Sequence, residues 1–254
     1  MWDPTKYLAF ADHRDRPFHE LVARIDATVP RRVVDLGCGP GNLTVLLAKR
    51  WPDAALDALD SSPDMVAAAR ERGLDAVVAD VRDWTPAGDT DVLVTNAVLQ
   101  WVPDHAALLR QWVEAMPSGA WLAMQVPGNF DQPSHALVRE LTGLSRWRDR
   151  LGGAAPRDPD AVLTAAGYAA VFADAGCAVD AWETTYLQRL EGQDPVLEWI
   201  SGTALRPIRA ALDDEAWAEF AGELAPRLRE AYPARQDGTT WFPFRRVFAV
   251  ARTA

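Results

Sequence analysis

Short apolar runs alternate with amphipathic stretches through the first half of the chain. Runs of about four to eight aliphatic residues, bounded by polar or glycine residues, predict strands. They lie at residues 33–36, 54–59, 75–80, 90–96 and 119–126. The stretches between them space their apolar residues three and four positions apart, which is typical of helices packed on one face. Strands alternating with helices in this way predict a parallel, doubly wound α/β sheet of the Rossmann-like kind.

The pattern loosens after Val126. Residues 178–190 alternate well enough for a sixth strand, and the aromatic stretch Trp241–Val250 predicts a seventh, antiparallel to its neighbours. Two adjacent antiparallel strands are usually joined by 2–5 residues, whereas a mostly helical sequence fills the interval here. We therefore predict a single domain spanning residues 1–254, with a seven-stranded, mostly parallel sheet and helical cap insertions at about 127–160 and 188–236. A further helix is expected at 17–29, with Pro17 at its start.

Composition and charge narrow the class of protein. The chain has 254 residues, a net charge of -10 and a pI of about 4.9, which argues against a nucleic-acid or anionic-membrane partner. No apolar run is long enough to span a membrane, and the first residues lack the features of a signal peptide. Cys38 and Cys177 suggest neither a disulfide framework nor a metal site. We expect a monomeric, cytoplasmic enzyme without a metal.

The strongest motif is the glycine loop in "VVDLGCGPG", which follows the first predicted strand. Gly37, Gly39 and Gly41 allow sharp turns and close approach of a ligand. The spacing departs from the dinucleotide motif, because Asn42 stands where its third glycine belongs. Asp35, beside the loop, would repel a pyrophosphate but suits a ligand that carries an ammonium and a sulfonium group. The motif therefore favours S-adenosylmethionine.

Polar residues also end the next three predicted strands. Asp60 lies 19 residues beyond Gly41, where an acidic residue in such folds binds ribose hydroxyls, and Ser61 follows it. Asp80 is placed to accept from an adenine amino group, with the backbone of Val81 alongside. Asn96 would lie under the methyl donor. The predicted cofactor site comprises Asp35, Gly37, Gly39, Gly41, Asp60, Ser61, Asp80, Val81 and Asn96.

With these motifs in place, the chain resembles a known family. The motifs D-L-G-C-G-P-G, D-S-S-P, A-D-V-R-D-W and N-A-V-L-Q-W-V-P-D-H are similar to those of the class I S-adenosylmethionine-dependent methyltransferases. More narrowly, the sequence resembles the trans-aconitate 2-methyltransferase family, including the opening "WDPTKYLAFADHRDRP", "AGCAVDAWETTY" and the final "FRRVFAVA". One departure is Ala204, where the family commonly has the glycine of G-L-R-P; this affects the expected loop geometry there.

The resemblance implies methyl transfer to a carboxylate of trans-aconitate, giving a monomethyl ester and S-adenosylhomocysteine. A carboxylate is ionised at neutral pH, so no general base is needed and catalysis would come from positioning. Arginines suit a polycarboxylate because a guanidinium grips a carboxylate through two parallel hydrogen bonds. Arg245, on the opposite strand face from Arg246, is expected to be a solvated charge. The predicted substrate residues are Arg206, Arg246, Tyr186, Trp101, Arg14 and Arg16.

The sequence leaves two alternative functions open. One is a class I methyltransferase acting on another acid, such as a carrier-bound malonyl group or a quinone precursor. A carrier protein would need a basic docking face, which an acidic chain does not favour. The other is a different class of protein, a nicotinamide-binding oxidoreductase or a non-catalytic nucleoside-binding module, against which Asp35 and the missing third glycine argue.

Overall fold

The computed structural model describes residues 11–154 and 156–254, and their side chains from residue 15 onward. These residues form seven strands and ten α-helices. In chain order they are α1 (Ala11–Val22), β1 (Arg32–Leu36), α2 (Thr44–Arg50), β2 (Ala55–Asp60), α3 (Pro63–Glu71), β3 (Ala76–Val78), β4 (Thr90–Asn96), α4 (His105–Ala115), β5 (Trp121–Pro127), α5 (Pro133–Gly143), α6 (Ser145–Leu151), α7 (Ala165–Asp174), β6 (Ala178–Leu190), α8 (Pro195–Ser201), α9 (Arg206–Ala211), α10 (Asp214–Ala231) and β7 (Thr240–Arg252). A 3₁₀ turn, Leu99–Trp101, precedes α4. None of the described helices is long and apolar enough to cross a membrane.

The seven strands form one sheet in the order β3-β2-β1-β4-β5-β7-β6. Neighbouring strands from β3 to β5 run parallel, and β7 runs antiparallel to β5. The predicted doubly wound, mostly parallel sheet with an antiparallel closing strand is thereby confirmed. Because β1 and β4 are neighbours while the chain winds outward from each, the strand order reverses beside β1, where such folds bind ligands.

The chain divides into two compact units. The first runs up to Pro127 and adds Val162–Thr184 and Arg246–Ala254. Its core lies on the sheet face that carries Leu93 and Leu122, where Trp112 of α4 and Phe172 of α7 are fully buried. On the other face α1 packs against β5, burying Phe18 and Leu21. Both faces of the sheet are therefore covered, as a parallel sheet requires.

The second unit comprises Gly128–Ala161 and Thr185–Arg245. It is mainly helical, and α10 packs against α5 and α8. Trp147 meets Phe220 edge to face, with ring centroids 5.1 Å apart. The backbone amide of Ser134 donates to the Tyr232 hydroxyl at 3.1 Å, which ties α5 to the end of α10. The second unit thus has a core of its own.

The first helix differs from the predicted span of 17–29. It covers Ala11–Val22, and Pro17 lies inside it rather than at its start. Turns with hydrogen bonds three residues apart follow as far as Ile25. The guanidinium of Arg50 donates to the carbonyls of Val22 and Ile25. A cation at the carboxyl end of a helix satisfies carbonyls that have no helical partner, so Arg50 stabilises the end of α1.

Candidate functional site

The loop between β1 and α2 requires its glycines for two separate reasons. Gly37, Gly39 and Gly41 all have positive φ, between 55° and 79°, where other residues are strained. A Cβ on Gly37 would also lie 2.1 Å from Val98 Cγ2, whereas a Cβ on Gly39 would meet nothing within 4 Å. The amides of Gly37 and Cys38 donate to the Leu59 carbonyl at 2.8 and 2.9 Å. The loop is thus held against β2 while its middle faces open space that a ligand can enter.

Asp35 is a buried carboxylate at the end of β1. Its side chain is 3% exposed, and Thr44 Oγ1 donates to its Oδ2 at 2.6 Å. Burial raises the pKa of Asp35 to about 6; the Asp60 charge adds to the rise, and the bond from Thr44 opposes it. At neutral pH this carboxylate is mostly ionised in a poorly solvated place, so a bound cation would stabilise it.

Asp60, at the end of β2, does more than the sequence predicted. Its Oδ2 accepts from the amide of Gly39 at 2.9 Å, and its Oδ1 accepts from the amide of Ser62 at 2.9 Å. Burial raises the pKa of Asp60, and these two amide bonds counter the rise. The carboxylate therefore shapes the glycine loop as well as being available to ribose hydroxyls. Ser61 beside it is exposed.

Asp80 was predicted to end the third strand, but β3 ends two residues earlier, at Val78, and the Asp80 carboxylate is already engaged. Arg82 donates to Asp80 Oδ1 from its Nε at 2.9 Å and to Oδ2 from its Nη2 at 2.6 Å. These bonds lower the pKa of Asp80 to about 2. An adenine amino group would share a carboxylate that Arg82 holds in place. Val81 is buried in the core of the first unit.

Several buried polar atoms near the end of β4 have no hydrogen-bond partner among the described residues. These are Thr95 Oγ1, Asn96 Oδ1 and Gln100 Oε1. Ala97 adopts a left-handed backbone with φ of 58°, and Gln100 Nε2 donates to its carbonyl at 2.6 Å. Strain in a residue other than glycine and buried acceptors without donors both occur at ligand sites. This strand end is therefore a candidate for binding a ligand that donates hydrogen bonds.

Gln125 and Arg246 form a buried pair on β5 and β7. The Gln125 side chain is 1% exposed and that of Arg246 is 7% exposed. Arg246 Nη1 donates to Gln125 Oε1 at 3.1 Å, while Gln125 Nε2 has no hydrogen-bond partner among the described residues. Arg246, a predicted substrate residue, is thus a buried cation.

The strand register places four of these side chains on one face of the sheet. Asn96 pairs with Gln125, and Asp35 pairs with the residue two positions before Asn96. Since side chains two positions apart share a face, Asp35, Asn96, Gln125 and Arg246 lie on the same side. The strands involved are β1, β4, β5 and β7 in that spatial order. Three strand spacings separate the carboxylate from the guanidinium, roughly 14 Å between strand axes.

Arg245 points the opposite way, as the alternation predicted, but it is not simply a solvated charge. Its Nε donates to the Gly128 carbonyl at 2.7 Å, and its amide donates to Asn129 Oδ1 at 2.6 Å. Its side chain also forms an ion pair with Asp131 at 3.4 Å. The guanidinium thus holds the loop that follows β5 within the second unit.

The other predicted substrate residues have varied surroundings. Arg206 is half-buried at the first turn of α9 in the second unit, and burial lowers its pKa. Tyr186 is buried on the part of β6 that belongs to the second unit. Trp101 of the first unit is 40% exposed. Arg16 is 68% exposed and pairs with Glu20 at 2.8 Å on α1, and the side chain of Arg14 lies outside the described residues.

Two histidines are fixed in structural roles. His105 Nδ1 donates to the Val102 carbonyl at 3.0 Å, so its Nε2 accepts from the Tyr168 hydroxyl at 2.8 Å. Burial lowers the pKa of His105. His135 of the second unit is buried beside Phe130, and burial lowers its pKa to about 4, with Arg139 and Arg157 adding to the effect. Neither is placed as a general base.

Three residues at the site were missed by the sequence reasoning. Gln125 left a signal, because it is a polar residue inside the apolar run "WLAMQV". Thr44 and Gln100 left none, since a threonine at a helix start and a glutamine in a turn are ordinary there. Their roles follow from the atoms that they meet, Asp35 Oδ2 and the Ala97 carbonyl.

Comparison with known proteins finds methyltransferases. A family model described as "Methyltransferase domain" matches residues 10–181. A trans-aconitate 2-methyltransferase of Rhodococcus jostii (strain RHA1) is 66% identical over 252 residues, covering 99% of both chains. Proteins with the same name from Mycobacterium sp. (strain KMS) and Mycobacterium tuberculosis (strain ATCC 25177 / H37Ra) are 61% and 56% identical. The alignments cover 100% of both chains for the former, and 99% of this chain and 96% of the relative for the latter.

Solved structures agree at the level of the fold. The YcgJ protein from Bacillus subtilis superimposes with a TM-score of 0.59 at 14% identity, covering 94% of this chain and 98% of that one. A putative methyltransferase from Bacillus halodurans C-125 gives 0.57 at 13% identity, covering 92% and 97%. At such identities the likeness concerns the arrangement of helices and strands.

Proposed function

The chain belongs to the trans-aconitate 2-methyltransferase family of S-adenosylmethionine-dependent methyltransferases, and from that premise we propose that it esterifies a carboxylate of trans-aconitate. The product would be a monomethyl ester, with S-adenosylhomocysteine released. A close small polycarboxylate is the remaining alternative within the same chemistry. Membership of this family rules against the nicotinamide-dependent and non-catalytic alternatives.

The observation that carries the proposal is the division of charge along one sheet face. Asp35 and the Asn96 oxygen, on β1 and β4, can only accept hydrogen bonds from a ligand at neutral pH. Arg246 and Gln125 Nε2, on β7 and β5, can only donate. A cationic methyl donor and an anionic acceptor are attracted to opposite ends of this face. The sheet face thereby favours a placement of methyl donor and carboxylate in which the methyl group can pass from one to the other.

The residues around the glycine loop fit S-adenosylmethionine. Gly39 offers space without a side chain, and the carboxylates of Asp35 and Asp60 can accept from ammonium and ribose hydroxyl groups. Asn96 Oδ1 is an acceptor that meets no donor in the part of the chain that the structure describes. When bound, this cofactor supplies an electrophilic methyl group. Asp80, Val81 and Ser61 stay predicted contacts of its adenosine part.

The chain's own residues need not move a proton. The carboxylate of the substrate is ionised at neutral pH, and the buried histidines His105 and His135 already serve the structure. What the residues supply is orientation and exclusion of water, which favours a step in which cationic and anionic charges disappear. Buried Arg246 orients the substrate carboxylate, and the bond to Gln125 Oε1 holds the Arg246 guanidinium in place.

We propose Arg206 and Tyr186 as further substrate residues, with Trp101 as an apolar wall. Arg206 is half-buried at the first turn of α9 and Tyr186 is buried on β6, and a guanidinium and a phenol hydroxyl can both donate hydrogen bonds to a carboxylate. Arg16 is a weaker candidate because it is exposed and bound to Glu20. The helical cap insertions at about 127–160 and 188–236, and a monomeric enzyme in the cytoplasm, stay predictions.

The proposal is tested by offering trans-aconitate, cis-aconitate, citrate, isocitrate and malonate with S-adenosylmethionine and identifying the products by mass spectrometry. Trans-aconitate should give a monomethyl ester at the highest kcat/KM. Arg246→Ala should raise the KM for trans-aconitate and leave the Kd for S-adenosylhomocysteine near the native value. Arg252→Ala is the matched control, because Arg252 lies on the same strand but is exposed at its end. An unchanged KM in Arg246→Ala would remove that residue from the substrate site.

A further inference from the structure

Gln125 is an uncharged residue whose side-chain amide joins two parts of the face described above. Arginine has donors and no acceptor, so the bond from Arg246 Nη1 fixes which end of the Gln125 amide is the oxygen. The Nε2 group must then point away from the guanidinium. The orientation of this amide is therefore set by chemistry.

The Nε2 group of Gln125 is a buried donor with no acceptor among the described residues. Asn96, directly opposite in the β4–β5 register, has the reverse condition, since its Oδ1 is a buried acceptor with no donor among those same residues. The two amides do not satisfy each other. Because unsatisfied buried polar groups are costly and rare, this facing pair indicates two ligand groups, one that donates and one that accepts.

We propose that Gln125 is a substrate-binding and positioning residue whose Nε2 donates to the same carboxylate that Arg246 binds. This rests on the proposed function, in which the ligand on this side is an anion. The Gln125 oxygen holds the guanidinium and its nitrogen extends the row of donors by one, toward Asn96 and the methyl donor. Arg246 alone would fix a carboxylate at one edge, and the added donor from β5 fixes its rotation.

The choice of an amide at this position has a specific consequence. A glutamate would keep the acceptor toward Arg246 but would remove the donor and repel the substrate. A methionine would keep the apolar volume but would provide neither group. Glutamine is therefore suited both to hold Arg246 and to contribute to an anion site inside a chain of net charge -10.

The experiment measures KM and kcat for trans-aconitate, and the Kd for S-adenosylhomocysteine, in Gln125→Met, Gln125→Glu, Arg246→Met and the double variant Gln125→Met/Arg246→Met. Gln111→Met, an exposed site on α4, is the matched control. We expect the KM to rise about tenfold or more in Gln125→Met, as for loss of a hydrogen bond to a charged group, and more in Gln125→Glu. The Kd for S-adenosylhomocysteine should stay within about twofold of the native value. That change is well below the one expected for the loss of one hydrogen bond to the cofactor. The two single effects should be non-additive in the double variant, because the residues share one carboxylate.

A native KM in both Gln125→Met and Gln125→Glu, with the fold intact by circular dichroism, would overturn the proposal while leaving the proposed function in place. If the native chain makes no ester from trans-aconitate, the proposed function fails, and calorimetric titration of the acid panel into the S-adenosylhomocysteine complex decides the role of Gln125. Binding of an acid that weakens in Gln125→Glu supports the anion site. Absence of any binding that depends on Gln125 overturns it.

Discussion

Replacing Asp35 by asparagine should make the protein more stable and a poorer binder of its cofactor. The substitution keeps the shape of the side chain, and Thr44 Oγ1 can donate to the amide oxygen as it does to the carboxylate. What is lost is a negative charge in a place that is 3% exposed. A stabilising mutation at the expense of function is expected where a site is built around a poorly solvated charge.

The size of the effect follows from the pKa of Asp35. Burial raises it from 3.8 to about 6. A shift of that size corresponds to about 3 kcal/mol of stability lost by the ligand-free protein once the carboxyl is ionised. Because the folded state holds the proton more tightly than the unfolded chain, the contribution of Asp35 to stability falls as the pH rises from about 4 to about 6 and is flat above that range. Asparagine removes this dependence.

The assay is urea unfolding of the ligand-free protein at pH 4 to 8, with Asp53→Asn as a control at an exposed carboxylate. The stability difference between Asp35→Asn and the native chain should grow with pH and reach up to about 3 kcal/mol at pH 7. Calorimetric titration with S-adenosylmethionine should show affinity reduced by about tenfold to a hundredfold, the range for a hydrogen bond to a charged group. A variant that gains no stability, or that binds the cofactor with native affinity, would refute the role given to Asp35.

Three other predictions concern separate parts of the molecule. Asp60→Asn should weaken S-adenosylhomocysteine binding in titration calorimetry and speed amide hydrogen exchange at Gly39, because the carboxylate that accepts from the Gly39 amide is also the one proposed to bind the ribose; unchanged binding would remove Asp60 from the ribose role. Arg206→Ala should raise the KM for trans-aconitate with little change in cofactor affinity, whereas Arg209→Ala, on the same helix and bound to an exposed aspartate, should leave both unchanged. The pKa of His135 is lowered from 6.5 to about 4, so the contribution of this imidazole to stability should fall by about 3 kcal/mol as the pH drops through that window. The stability of the native chain relative to His135→Phe should fall by that amount over the same window, and a difference that does not change with pH would contradict the assignment.

Much of the fold followed from local pattern. The strands at residues 90–96 and 178–190 have the bounds that their hydrophobic period predicts. The glycine loop after β1 could also be predicted, because three positive-φ residues and an adjacent carboxylate leave few chemical alternatives. Such features depend on neighbours in sequence, and a single sequence records them.

The rest depends on partners far apart in the chain. The Gln125–Arg246 pair joins residues 121 positions apart, and it exists only because β7 returns antiparallel to β5. Arg245 was expected in solvent because the alternation of strand side chains predicts which way a side chain points but not what it meets. Its partners, Asn129 and Gly128, lie in a segment far away in sequence. The end of α1 is likewise stabilised by Arg50, 28 residues beyond Val22. Tertiary contacts of this kind leave no periodic pattern in the sequence from which they could be predicted.

The most direct test of the central claim is a single incubation of the native chain with trans-aconitate and S-adenosylmethionine that carries a deuterated methyl group. Mass spectrometry should find one deuterated methyl group per product molecule, on a carboxylate, together with an equal amount of S-adenosylhomocysteine. Base hydrolysis should return trans-aconitate, as for an ester. If no deuterated ester forms while S-adenosylmethionine binds, the claim that this chain esterifies trans-aconitate is contradicted.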